Sequence, residues 1–121
     1  MSAKVLIVDD SGLARRSTRR VLEAAGYEVI EAEDGLSALE RYFVERPRVV
    51  LLDLVMKGMY GLDVLTKLRE MDPDVRVVVI SADIQTSSRE MSSASGAAGF
   101  LNKPARPEEI VAAVQNAIGT A

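Results

Sequence analysis

Short apolar runs with no alternation of polar residues set the tightest limit on what this chain can fold into. Residues 5–8 read VLIV, residues 49–52 read VVLL, and residues 75–80 read VRVVVI. Each is too short for an ordinary helix and rich in β-branched side chains. A strand with one wet face alternates apolar and polar residues. A strand without that alternation is buried on both faces, the condition of a parallel sheet covered by helices on either side. Two weaker strands are predicted at 28–32 and 99–101. The first carries Glu28 and Glu31, which suits a sheet edge.

Helical patterns fill the intervals. The first begins near Gly12 and ends at Gly26, a glycine stop. The second, about 36–45, halts before Pro47, and the third, about 62–71, before Pro73. The fourth, about 86–94, is rich in Ser and is expected to be the least stable. The fifth follows Pro107, with Glu108 and Glu109 in its first turn at the positive end of the helix dipole. Strands alternating with helices in this way predict a doubly wound α/β fold. The 121 residues, 48% of them apolar, suit one domain over 1–121 with a proper core.

Composition narrows the chemistry. The chain has no Cys and no His, which removes disulfides, Cys- or His-ligated metals and His-based catalytic triads. Any chemistry falls to carboxylates, hydroxyls, Lys or Arg. A net charge of −3, from 15 basic and 18 acidic side chains, argues against a direct nucleic-acid binder. No apolar run approaches the roughly 18 residues of a membrane span, and the N-terminal residues lack the apolar stretch of a secretory signal. The expected location is the cytoplasm.

The polar residues of interest sit where the predicted strands end. Asp9 and Asp10 end the first, Asp53 the third and Ser81 the fourth, and Lys103 follows the fifth. Ligands of open α/β sheets bind beyond the carboxyl ends of the strands. Taken singly, each residue has an ordinary reading: a lone Asp after a strand is a turn residue or helix cap, a lone Ser a cap, and a lone Lys a solvated charge. Together on one edge of a parallel sheet, three carboxylates repel one another and call for a cation. Hard oxygen ligands, few in number, suit Mg²⁺. A carboxylate nucleophile, a divalent metal, a lysine and a hydroxyl form a coherent set for phosphoryl transfer.

These motifs resemble those of the response-regulator receiver family, the CheY-like regulators. Val-Asp-Asp-Ser at 8–11 resembles its acidic pair. Leu-Leu-Asp-Leu-Val-Met at 51–56, with Gly58 and Gly61, resembles its phosphoacceptor block. Ile-Ser-Ala at 80–82 resembles its switch-hydroxyl strand, and Gly-Phe-Leu-Asn-Lys-Pro at 99–104 its lysine strand. The match runs through essentially the whole chain, in order. The resemblance implies a flavodoxin-like five-stranded parallel sheet of order 2-1-3-4-5 with five helices. It also implies that Asp53 is phosphorylated from the phosphohistidine of a sensor histidine kinase or histidine phosphotransfer protein. Mg²⁺ would be bound by Asp10, Asp53 and the backbone carbonyl of Val55, with Asp9 acting through a metal-bound water. Lys103 and Ser81 would contact the phosphoryl oxygens, and Phe100 would be the switch aromatic. The Lys103–Pro104 peptide bond would be cis. The implied role is a signalling switch, catalysing only its own phosphorylation and dephosphorylation. Its target would dock on the face of the fourth helix, fifth strand and fifth helix, and its state would be a monomer or a phosphorylation-dependent homodimer.

Three positions depart from the family's usual pattern: Lys57 stands in place of Pro, Tyr60 in place of a frequent Asp, and Val55 where some relatives carry a polar side chain. Arg15, Arg16, Arg19 and Arg20 lie one and four residues apart on the first helix and are expected to share a broad face. That face is ordinarily solvated; the resemblance implies a docking surface for the kinase.

Other functions fit less well. A haloacid-dehalogenase-type hydrolase needs a second Asp two residues after the nucleophile, and Val55 stands there. A flavin or nucleotide carrier needs a phosphate-cradling loop after the first strand, where Asp9 and Asp10 stand instead. A scaffold that never takes phosphate has no use for the intact acidic residues and Lys103. A receiver belonging to a longer regulator or hybrid kinase would carry the same motifs, and chemotaxis is one pathway among several for this family.

Overall fold

The computed structural model describes residues 3–56, 60–82 and 96–119. Five strands form one sheet: β1 (Lys4–Val8), β2 (Glu28–Ala32), β3 (Val49–Asp53), β4 (Val77–Ser81) and β5 (Gly99–Asn102). All pairings are parallel and the order is β2-β1-β3-β4-β5. Four helices flank it among the described residues: α1 (Gly12–Ala24), α2 (Gly35–Glu45), α3 (Gly61–Met71) and α4 (Pro107–Gly119). The helix expected at 86–94 lies outside the described residues. The doubly wound sheet of order 2-1-3-4-5 is therefore present, and β2, the strand with the glutamates, is an edge.

The unalternating apolar runs are explained by where their side chains go. Leu6, Val8, Val50, Leu52, Val77 and Val79 pack on one face with Ala38 and Tyr42 of α2 and Leu65 and Leu68 of α3. Val5, Ile7, Val49, Leu51, Val78 and Ile80 pack on the other with Leu22 of α1 and Ile110 and Val114 of α4. Successive strand residues point to opposite faces, so a sheet with two dry faces needs apolar residues at every position. Each such side chain, fully buried, stabilises the fold by about 1.5–3 kcal/mol.

Local signals set the helix ends. The Ser11 hydroxyl accepts the Ala14 N–H at 3.2 Å, and the Asp34 carboxylate accepts the Ser37 N–H at 2.8 Å, each capping a helix start. At the end of α1, Gly26 adopts φ +96°. Its N–H donates to the Glu23 carbonyl and that of Tyr27 to the Leu22 carbonyl, both at 3.0 Å, the left-handed glycine ending that the sequence announces. Between α2 and α3, the buried Tyr42 hydroxyl donates to Asp72 Oδ2 at 2.7 Å, which satisfies the only polar atom of that side chain.

The fourth strand starts two residues later than the apolar run. Val75 donates its N–H to the Asp72 carbonyl at 3.0 Å, closing a turn, yet stays buried among the α2–α3 side chains. Arg76 donates from Nη1 to the carbonyls of Ala117 and Ile118 at 2.9 and 2.7 Å. It thus binds the last turn of α4, where unpaired carbonyls and the negative dipole end attract a cation.

One glycine controls the chain path beneath the sheet edge. Gly61 opens α3 and donates its N–H to the Leu54 carbonyl at 2.9 Å. A Cβ there would lie 2.5 Å from Leu54 Cα and 2.7 Å from the Asp53 carbonyl oxygen, both backbone atoms that cannot swing aside. Alanine ordinarily favours a helix over glycine; here Gly61→Ala is expected to destabilise by roughly 1–3 kcal/mol through overpacking. Urea denaturation of both proteins checks this.

Candidate functional site

The parallel sheet delivers its polar residues to one edge. Asp9 follows the last residue of β1, Asp53 and Ser81 are the last residues of β3 and β4, and Lys103 follows β5. The backbone ladder continues past the strands: Asp9 N–H donates to the Ala32 carbonyl, Leu54 N–H to Ile80 and Lys103 N–H to Ser81, at 3.2, 3.1 and 2.8 Å. The side chains therefore start from fixed positions.

They converge on a lysine. Lys103 Nζ lies 2.9 Å from Asp9 Oδ2 and 2.9 Å from Asp53 Oδ2. The remaining oxygens are also held: Asp9 Oδ1 accepts the Ser11 N–H at 2.9 Å and Asp53 Oδ1 the Val55 N–H at 3.0 Å. Asp9 and Asp53 are each only 5% exposed and Ser81 is fully buried, while Asp10 is exposed. Asp9, Asp10 and Asp53 each present a carboxylate oxygen within 4.8 Å of the others.

Burial lifts the Asp53 pKa above its ordinary value, and the neighbouring Asp9 charge adds to this. The Val55 N–H and Lys103 pull the other way without cancelling the rise. Burial alone would lower the Lys103 pKa, but its bonds to Asp53 and Asp9 outweigh it and the net shift is upward. Three carboxylates facing one ammonium leave an excess of two negative charges when all are ionised. This donor set, all hard oxygen with an exposed side at Asp10, fits a small divalent cation that keeps part of its water.

The other expected residues fall around this cluster. Val55 is exposed at 61% and Tyr60 at 46%; Lys57 and Gly58 lie outside the described residues. Phe100 is half-buried against the α2–α3 face of the core. The Lys103–Pro104 bond is cis. The four arginines do not act as one face. Arg16 and Arg20 are exposed, whereas Arg15 Nε pairs with Glu31 Oε1 at 3.0 Å and Arg19 also pairs with Glu31. A single edge-strand carboxylate draws one i, i+4 pair of the helix toward the sheet and leaves the other in water. Sequence reasoning overlooked Ser11, although a Ser between an acidic pair and a helix is a cap signal. It also overlooked a bond from Arg15 Nη1 to the Asp9 carbonyl.

Residues 5–115 match the family model for the response regulator receiver domain. The chain belongs to the response regulator receiver family. This receiver is 35% identical over 115 residues to the chemotaxis protein CheY of Thermotoga maritima, a match covering 94% of it and 96% of that protein. It is 38% identical over 112 residues to the response regulator MprA of Mycobacterium tuberculosis, covering 93% of the receiver and 49% of MprA; it spans about half the length of such regulators. Among solved structures, the chemotaxis protein CheY4 of Vibrio cholerae superposes with a TM-score of 0.92 at 31% identity, covering 97% of the receiver and 99% of that chain. The receiver domain of the Mycobacterium tuberculosis regulator NarL superposes at 0.90 with 36% identity, covering 99% and 98%. Among the described residues, no helix is long and apolar enough to cross a membrane.

The raised Asp53 pKa carries a stability consequence. A carboxyl whose folded pKa exceeds its unfolded one contributes stability that is complete below the unfolded pKa and lost as pH rises through the folded value. At neutral pH, without metal, the ionised Asp53 therefore opposes folding. Asp53→Asn, which mimics the neutral form, is expected to be more stable than the parent at pH 7 in chelator. It should also show a shallower fall in stability from acid to neutral pH, as read by urea denaturation across that range.

Proposed function

We propose that the receiver takes a phosphoryl group onto Asp53 from the phosphohistidine of a sensor histidine kinase or histidine phosphotransfer protein. It then works as a cytoplasmic signalling switch and not as an enzyme acting on a separate substrate. The observation that carries this reading is Lys103, held at 2.9 Å from both Asp9 and Asp53 within one acidic cluster. A bound Mg²⁺ would be held by Asp10, Asp53 and the Val55 carbonyl, with Asp9 beside it. It would supply charge neutralisation at the phosphoryl oxygens.

The chain's own groups account for the rest. Asp53 Oδ2 is the free-running nucleophile once Lys103 turns to the incoming phosphoryl group. The new bond joins that oxygen to phosphorus as the phosphorus–nitrogen bond breaks, and the bonding pair remains on the imidazole nitrogen. Lys103 then pairs with a phosphoryl oxygen, and the Ser81 hydroxyl donates to another. Burial of Asp53 and Ser81 keeps these contacts in a low-dielectric setting, where they are strong. Movement of Ser81 toward the phosphate opens space that Phe100 fills, which biases the face that includes β5 and α4 between two states. A downstream protein reads that face, and the receiver acts as a monomer or a phosphorylation-dependent homodimer.

The donor docks beside the site. A groove between α1 and α4, lined by Ala14, Thr18, Val21, Pro104, Ala105 and Ile110, opens beside Lys103. Arg16 and Arg20, also on α1, are exposed and offer charge to an acidic partner surface.

Incubation with Mg²⁺ and acetyl phosphate, followed by intact-mass measurement, is expected to show the gain of one phosphoryl group. Asp53→Asn and added chelator should each abolish the gain. A parent that gains nothing, binds no Mg²⁺ and stays unmodified by histidine kinases would act as a scaffold instead. Val55 is apolar and exposed at the mouth of the site, where it offers attacking water no hydrogen bond. Val55→Asn is expected to shorten the phosphoryl lifetime severalfold, measured as phosphate release from the purified phosphoprotein.

A further inference from the structure

Arg15 lies on the first helix, half-buried, with its guanidinium divided between two partners. Nε donates to Glu31 Oε1 at 3.0 Å, and Nη1 donates to the backbone carbonyl of Asp9. Glu31 is itself held on its other oxygen by Arg19, which also pairs with Glu23 at 3.2 Å and donates to the Val29 carbonyl at 3.3 Å. The edge strand, the first helix and the end of β1 thus meet in one charged network that ends on the acidic pair.

The peptide that receives Arg15 is the one joining Asp9 to Asp10. Asp9 is held on every other polar group: its N–H by the Ala32 carbonyl, Oδ1 by the Ser11 N–H and Oδ2 by Lys103. With its carbonyl also held, the plane of the Asp9–Asp10 peptide cannot rotate, since a planar peptide turns as one body. That plane is where the backbone of Asp10 begins. Asp10 is the exposed member of the cluster and the one whose direction burial does not set.

We infer that Arg15, clamped by Glu31, is a positioning residue that orients the Asp10 carboxylate toward the divalent-cation site by fixing the Asp9–Asp10 peptide. The inference rests on the reading of the acidic cluster as a Mg²⁺ site. Arg15 touches no reacting atom. It acts as outer-shell partners of metal ligands do, by holding a ligand's supporting backbone. The guanidinium suits this because it is planar and offers several donors in a rigid fork, so one group can bridge a carboxylate and a carbonyl; an ammonium is a point charge without that geometry.

Charge and position predict opposite signs, which makes the idea testable. If Arg15 acted only through its charge, its removal would leave a more negative site and Mg²⁺ would bind more tightly. If it positions Asp10, Mg²⁺ binds more weakly. The measurement is isothermal titration of Mg²⁺ into the parent, Arg15→Ala, Arg15→Lys, Glu31→Gln and the exposed-neighbour control Arg16→Ala, each checked for folding by circular dichroism. Positioning predicts roughly a tenfold or greater loss of affinity in Arg15→Ala and no recovery in Arg15→Lys. It predicts a smaller loss in Glu31→Gln and parent-like or slightly tighter binding in Arg16→Ala. Parent-like or tighter binding by Arg15→Ala, or full recovery in Arg15→Lys, overturns the inference while leaving the cation site intact. Should Arg15→Ala fail to fold, Arg15→Met decides by the same criterion, since it keeps the side chain's apolar stem and removes both the charge and the donors. A parent that binds no Mg²⁺ at all overturns the cation site itself and this inference with it.

Discussion

A sheet dry on both faces leaves solvent only at its ends and edges, and the rest of this molecule follows from that. β1, β3 and β4 have a strand on each side and packed helices above and below. No polar side chain can leave such a strand for water except at its two ends. All five strands run the same way, so what leaves them emerges together. Carboxylates placed at β1 and β3 are brought side by side without any loop having to search for the arrangement.

That convergence has an electrostatic cost, and Lys103 is the group that meets it. One ammonium, bonded equally to Asp9 and Asp53, ties three strand ends together and holds the cluster in its compact form. It does not neutralise it. Burial and Asp9 still lift the Asp53 pKa, so the site on its own stores repulsion that a bound cation would relieve. The same few atoms thus make the site less favourable alone and more receptive to what it binds.

Much of this was legible in the sequence, for physical reasons that also explain the gaps. Residues 5–8 and 49–52 report strands because two-sided burial demands apolar residues at every position. Val75 misleads on the same ground: it is buried but sits in a turn, and hydropathy records burial, not strand pairing. Asp9, Asp53, Ser81 and Lys103 could be gathered on one edge because each ends a predicted strand. Asp9 and Asp10 could not be separated into a buried and an exposed carboxylate, since adjacency says nothing of which way each turns. The division of the arginines was equally hidden. Helical spacing groups Arg15 with Arg19 and Arg16 with Arg20, but only the position of Glu31 on the neighbouring strand decides which pair is drawn inward.

Arg76 gives α4 an unequal footing. Its guanidinium grips the carbonyls of Ala117 and Ile118 at the far end of the helix, while the near end begins at Pro107, a few residues from Lys103. Between these ends Ile110, Val114 and Ala117 are buried against the sheet along the length of the helix. The last turn therefore carries a polar anchor to the start of β4 on top of its apolar seat, and the register of helix against sheet is pinned at the end farthest from the acidic cluster.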